Sequence, residues 1–252
     1  MSFLELPDRS ARPREVGLTH VLDRGLSLAD VDGLMEVAGA SVDIVKLGWG
    51  TAVVSANLPA KLARYRDHGV AVVLGGTLTE VALRQGRVEG LIAWVRELGL
   101  DHVEVSDGTI ALTPEDKRAL ISRLAKEFTV LSEVGSKDAE MIMAPYRWVE
   151  EIEGELAAGA WKVIAEAREA GNAGIYRPDG EVRMGLIDEI AHAVDPDRMI
   201  FEAPRKQQQT FFLRRFGSNC NLGNIAPGDV LSLETLRLGL RSDTFDLGPA
   251  AS

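Results

Sequence analysis

The chain has a single cysteine, Cys220, among 252 residues. An intrachain disulfide and a thiolate zinc site are thereby excluded, and a reducing, cytoplasmic setting is expected. Histidine is also scarce: His20, His68, His102 and His192 are scattered along the chain, which argues against an imidazole metal centre. Positive charge is in deficit, with 28 Lys and Arg against 38 Asp and Glu, a net charge of −10. An acidic surface does not suit a nucleic-acid backbone, although a small anion needs only a local basic pocket. Long apolar runs are missing. The stretch up to Arg14 carries Pro7, Pro13 and several charges without the apolar core of a signal peptide, and nothing approaches the length of a membrane span. Residues 1–13 and 248–252 are expected to be loose ends.

What is present is ordinary globular material, 46% hydrophobic with a mean hydropathy of +0.00, enough for a large core. The stretch Val42-Asp43-Ile44-Val45-Lys46-Leu47-Gly48-Trp49-Gly50-Thr51 organises the rest. It reads as a short buried strand with a lysine near its end, broken by Gly-Trp-Gly. A buried ammonium must reach water or meet an anion.

The same design recurs. Strands are expected over 18–23, 44–48, 70–74, 102–105, 129–134, 161–165, 199–202 and 219–225. Helical spacing follows each of them: 28–39 behind the N-cap Ser27, 58–68, 79–98 with a break at Gly86, 114–128 behind Thr113-Pro114, 146–158, 186–194, 206–216 and 229–240. Residues 172–183 form the longest irregular loop. Short strands without clean polar alternation suit a parallel sheet covered on both faces. Eight strand–helix units in strict alternation, with no linker, predict a single (β/α)₈ TIM-barrel domain over 1–252. The alternative is an open doubly wound sheet, for which no Gly-x-Gly-x-x-Gly or Walker motif is present.

In such a barrel the strand ends form the working face. They carry Asp23, Lys46, Thr77, Glu104 with Asp107, Glu133 with Lys137, Glu166 with Arg168, Glu202, and Asn221 with Asn224. Four glutamates with apolar neighbours imply carboxylates converging in the mouth. Uncompensated, they would repel and take up protons. A hard divalent cation such as Mg²⁺ resolves this when a phosphorylated substrate is present. Lys46, Lys137, Arg168, Lys206 and Arg24, with Gly75-Gly76-Thr77 and Asn221-Leu222-Gly223-Asn224, form a basic and amide set for phosphate and carboxylate groups. His20 reads as a satisfied barrel histidine. The residues point to a small phosphorylated anion handled with Mg²⁺, by a lyase or an isomerase.

Several motifs also carry a resemblance. Leu22-Asp23-Arg24-Gly25, Asp43 to Thr51, Gly75-Gly76-Thr77, Val103 to Gly108, Glu133-Val134-Gly135, Glu166-Ala167-Arg168-Glu169, Phe201-Glu202-Ala203-Pro204, Asn221 to Ile225 and Leu233 to Thr244 resemble the phosphosulfolactate synthase family, from about Gly17 to Phe245. The resemblance implies a Mg²⁺-dependent barrel that adds sulfite to phosphoenolpyruvate to give (2R)-phospho-3-sulfolactate, on routes to coenzyme M or sulfolactate. Applied to this sequence, it makes Lys137 the general acid with Lys46 second. Lys46, Arg168, Lys206, Gly76, Thr77, Asn221 and Asn224 are substrate-binding candidates, and Glu104, Glu133 and Glu166 candidate metal ligands. A homo-oligomer is expected. Arg205 stands where the family often has glutamine, an added cation that would bear on the preferred anion. Two alternatives stay open: the same barrel with another nucleophile, and a non-catalytic, stress-associated barrel.

Overall fold

The structure, a computed structural model, describes residues 3–110, 112–135, 143–168 and 170–248. Eight parallel strands form one sheet: β1 (Thr19–Asp23), β2 (Ile44–Leu47), β3 (Ala71–Val73), β4 (His102–Val105), β5 (Thr129–Val134), β6 (Lys162–Ala165), β7 (Met199–Glu202) and β8 (Leu222–Ile225). Their order is β3-β2-β1-β8-β7-β6-β5-β4, and helices alternate with them, so the expected (β/α)₈ barrel is the observed fold. The order places β3 and β4 at the two ends of the ladder. Beside them the first turn of the helix Gly76–Arg84 is bonded to β4: the Gly76 N–H donates to Glu104 Oε1 at 2.6 Å and Thr79 Oγ1 to the Glu104 carbonyl at 2.8 Å.

Strand alternation divides the core in two. Val21, Val45, Val72, Val130, Val163 and Phe201 face outward and pack under the helices. Leu18, Ile44, Val73, Leu131, Ile164 and Ile200 fill the barrel interior. Two residues further along, the same inward phase carries Lys46, Glu133, Glu166 and Glu202. Aliphatic side chains therefore form the middle of the barrel, and charged ones crown it at the C-terminal ends of the strands.

Local signals explain the helices. Ser27 caps Leu28–Ala38 through a reciprocal box with Asp30, and Thr113 caps Pro114–Leu124 by accepting from the Asp116 N–H. The expected 79–98 helix is two, Gly76–Arg84 and Val88–Glu97, parted at Gly86, whose φ is 64°. Among the described residues, no helix is long and apolar enough to cross a membrane.

At the N-terminal end of the chain, the segment read as loose is tied to the foot of the barrel. Arg9 pairs with Glu234 at 2.9 Å, and Arg12 donates to the carbonyls of Gly39, His68 and Gly69. At the other end, residues 249–252 lie outside the described residues.

Candidate active site

The mouth of the barrel holds a cavity of about 290 Å³ lined by Leu22, Lys46, Gly48, Trp49, Gly75, Gly76, Thr77, Glu104, Glu133, Glu166, Arg168, Glu202 and Asn224. Lys46, from β2, sits at the centre of its floor. Its Nζ lies 3.2 Å from Glu202 on β7, 3.5 Å from Glu104 on β4 and 3.7 Å from Glu133 on β5. All four side chains are buried. Burial pulls the ammonium's pKa down, but Glu104, Glu202, Glu133 and Glu166 together outweigh it and hold Lys46 well above its ordinary value. The lysine is thus a fixed positive charge.

Three of the carboxylates are also held by backbone N–H groups. Glu104 accepts from the Gly76 N–H, Glu166 from the Arg168 N–H at 2.5 Å, and Glu202 from the Ala167 N–H at 2.8 Å. Burial, opposed by Lys46, pushes the Glu202 carboxyl up to about 7. Between pH 4.5 and 7 the folded protein therefore binds more protons at this site than the unfolded chain, whose glutamate titrates near 4.5. The sign follows from linkage: this contribution to stability is complete below pH 4.5 and is lost as pH rises through 7. Urea unfolding should accordingly show the wild type losing stability relative to Glu202→Gln between pH 5 and pH 8. Parallel pH dependences of the two proteins would remove this role from Glu202.

The backbone around the cavity is unusual. Trp49, Arg168 and Asn224 are, among the described residues, the non-glycine residues with positive φ, at 58°, 58° and 54°, and all three line the cavity. Such conformations are costly for L-residues and concentrate at functional sites. Trp49 is exposed at the rim, with the Arg24 guanidinium 5.2 Å from its ring centroid.

The elements behind the mouth are held by two buried lysines that sequence reasoning missed. Lys61 pairs with Asp23 at 2.9 Å, and Tyr65 donates to the same carboxylate. Lys117 bonds Asp107 and Glu155 at 2.8 Å and the Glu133 carbonyl at 2.6 Å. Asp23 and Asp107 therefore serve the surrounding helices rather than the cavity. A helical spacing places Lys61 and Lys117 on an inward face, but a lysine there reads as solvated unless its partner is known.

The sequence-derived set divides clearly. Lys46, Gly76, Thr77, Glu104, Glu133, Glu166, Arg168 and Asn224 meet at one cavity, and Glu202 joins them. Asn221 does not: it lies at the opposite end of the barrel, accepting from the Leu18 N–H at 3.0 Å and donating to the carbonyls of Met199 and Asp197. The reason is positional, because β8 begins only at Leu222. Lys206 opens the helix Lys206–Phe216 but turns to the surface, 2.7 Å from Asp243. Arg205 reaches the Asp179 carbonyl at 3.3 Å in a separate depression, so it adds no cation to the mouth. Lys137 lies outside the described residues. His20 is a barrel residue as expected, but among the described residues its ring nitrogens have no protein partner.

The carboxylates at the mouth do not lack compensation, since Lys46 supplies part of it. Among the described residues, no group of three or more His, Cys, Asp or Glu is arranged to hold a metal. The donors nonetheless fit Mg²⁺ in its usual enzymic form, which takes one or two carboxylates and draws its other ligands from water and substrate. Glu104, Glu133 and Glu166 all line the cavity.

A profile of the family described as (2R)-phospho-3-sulfolactate synthase (ComA) matches residues 7–243. The phosphosulfolactate synthase of Bacillus subtilis (strain 168) is 42% identical over 247 residues, spanning 97% of this chain and 98% of that protein. The enzyme of the same name from Methanothermobacter thermautotrophicus is 41% identical over 245 residues, 95% of each. Among solved structures, the YdjI aldolase from Escherichia coli K12 shares the fold, with a TM-score of 0.58 at 12% identity over 85% of this chain and 76% of that one. With a family profile and two enzymes matched along nearly its full length, this chain belongs to the (2R)-phospho-3-sulfolactate synthase family.

Proposed function

We propose that the protein catalyses the Mg²⁺-dependent addition of sulfite to phosphoenolpyruvate, giving (2R)-phospho-3-sulfolactate, as a carbon–sulfur lyase. The observation that carries this reading is the buried Lys46 ammonium ringed by Glu104, Glu133 and Glu202 at the barrel mouth. In the reaction, the sulfur lone pair of sulfite forms a bond to C3 of the enol phosphate. The C2–C3 π electrons move toward the carboxylate, giving an aci-carboxylate, and C2 then takes a proton on one face.

The residues divide the work by charge. Lys46 is fixed and cationic, so it stabilises negative charge as it develops on the substrate carboxylate. A lysine held this far above its ordinary pKa is a poor proton donor, which favours Lys137 as the acid at C2. Arg168, the Thr77 backbone N–H and the Asn224 side chain provide the donors for the phosphate, while the Gly76 N–H stays on Glu104. Mg²⁺, when bound, would supply Lewis-acid stabilisation of that carboxylate, held by one or two of Glu104, Glu133 and Glu166 with water and substrate as its other ligands.

The test is direct. Purified protein with Mg²⁺, phosphoenolpyruvate and sulfite should consume sulfite and yield one C–S bonded product. In D₂O that product should carry a single deuterium at C2. No sulfite consumption, with consumption of another nucleophile from a panel, would overturn the reading.

A further inference from the structure

His20 is out of place in the layer that holds it. It lies on β1 in phase with Leu18 and Leu22 and so points into the barrel. The interior residues around that level are aliphatic: Ile44, Val73, Leu131, Ile164 and Ile200. The imidazole is fully buried, and neither ring nitrogen has a protein partner among the described residues. It therefore keeps one unused donor and one unused acceptor, which is costly in an apolar interior.

Room for the ring is kept by a neighbouring strand. A Cβ on Gly223 of β8 would stand 3.1 Å from His20 Nδ1 and 3.0 Å from Ile200 Cγ2. The ring also lies close enough to Lys46 and Glu133 to feel their charges. Burial first, and then the Lys46 ammonium, hold it well below its ordinary pKa, so it is neutral.

We propose that His20 is a positioning residue: its neutral ring, joined through internal water to the charged cluster above it, forms a polar floor that holds the Lys46 ammonium in place. This inference rests on reading the mouth as the reaction site. The choice of side chain follows from the surroundings. A second cation beneath Lys46 would repel it, and a carboxylate would add another anion to four already present. An aliphatic residue would offer the ammonium no polar contact from below. Imidazole supplies a donor and an acceptor without charge, and an internal water satisfies buried polar groups that protein atoms do not reach.

The test compares His20→Leu, which matches the layer, with His20→Gln, which keeps a neutral donor and acceptor. In the leucine variant, kcat for sulfite addition should fall at least about 10-fold with KM for phosphoenolpyruvate within about 3-fold, because the reacting geometry, not binding, is disturbed. Its Tm should stay level or rise, since leucine matches the aliphatic layer and the polar ring leaves it together with the water that serves it. The glutamine variant should recover most of the turnover. The second readout needs no substrate. The chain has seven lysines, and in lysine-labelled protein the Lys46 side-chain resonance, assigned by its loss in Lys46→Met, should move in the leucine variant and return toward its original position in the glutamine variant.

An unmoved Lys46 resonance in the leucine variant would overturn the proposal. So would a parallel fall of Tm and kcat in both variants, which is the signature of packing alone. If the wild type itself adds no sulfite, the proposed reaction fails separately, and the Lys46 spectra still decide the role of His20.

Discussion

Lys46→Met is expected to remove both activity and much of the stability at neutral pH. The ammonium is the cation among Glu104, Glu133 and Glu202, and breaking a buried ion cluster from one side costs about 3–5 kcal/mol. The loss should shrink as pH falls. Without Lys46, the carboxylates have raised pKa values in the folded state, so protonation there favours folding. Urea unfolding at pH 5 and pH 8 should show the variant close to wild type at the lower pH and far below it at the higher. Turnover should fall about 10²–10³-fold even where the variant is folded, the cost of losing one preorganised charge at a developing anion. A variant equally destabilised at both pH values would contradict the electrostatic account. Lys137→Ala makes the contrast: for the proposed acid, the expected pattern is lost turnover with an unchanged Tm.

Gly174→Ala is the second large effect. Gly174 has a φ of 59°, and a Cβ there would stand 1.9 Å from the Glu166 carbonyl oxygen. The obstacle is backbone, which cannot turn aside as a side chain can. The same carbonyl accepts from the Ile175 N–H at 3.0 Å, so the turn and the end of β6 must move apart. Adding the left-handed strain to the broken contact gives roughly 3 kcal/mol, or a Tm lower by about 6–12 °C for a chain of this size. Glu166 and Arg168 move with that turn, so turnover should fall as well. Gly33→Ala is the control, because a Cβ there meets open space within the helix Leu28–Ala38. It should be neutral or stabilising by about 0.5–1 kcal/mol. Equal effects at the two glycines would show that the close approach at Gly174 does not matter.

Much of the site is legible in the sequence. Glutamates with apolar neighbours at four strand ends, and a lysine at the end of a fifth, gave the mouth its membership. The errors share a cause. Asn221 and Asn224 are three residues apart, yet one lies at the foot and the other at the mouth, because the point where β8 begins decides which end a residue joins. Lys206 sits just past a strand end, as mouth residues do, but its exposed stem turns to Asp243 in the C-terminal turn. Arg205 is drawn to a backbone carbonyl of the long loop between β6 and the next helix.

The periodicity of apolar residues, the glycines that end strands and helices, and the capping residues Ser27 and Thr113 were sufficient to specify eight strand–helix units and hence the barrel, since these are local signals with local causes. Which charges compensate one another was decided by closure of the sheet. Lys46 meets carboxylates from β4, β5 and β7 because the curved ladder carries their ends around one rim, and no spacing along the chain encodes that meeting. The same closure put a histidine beneath them and reserved the space at Gly223 in which its ring lies.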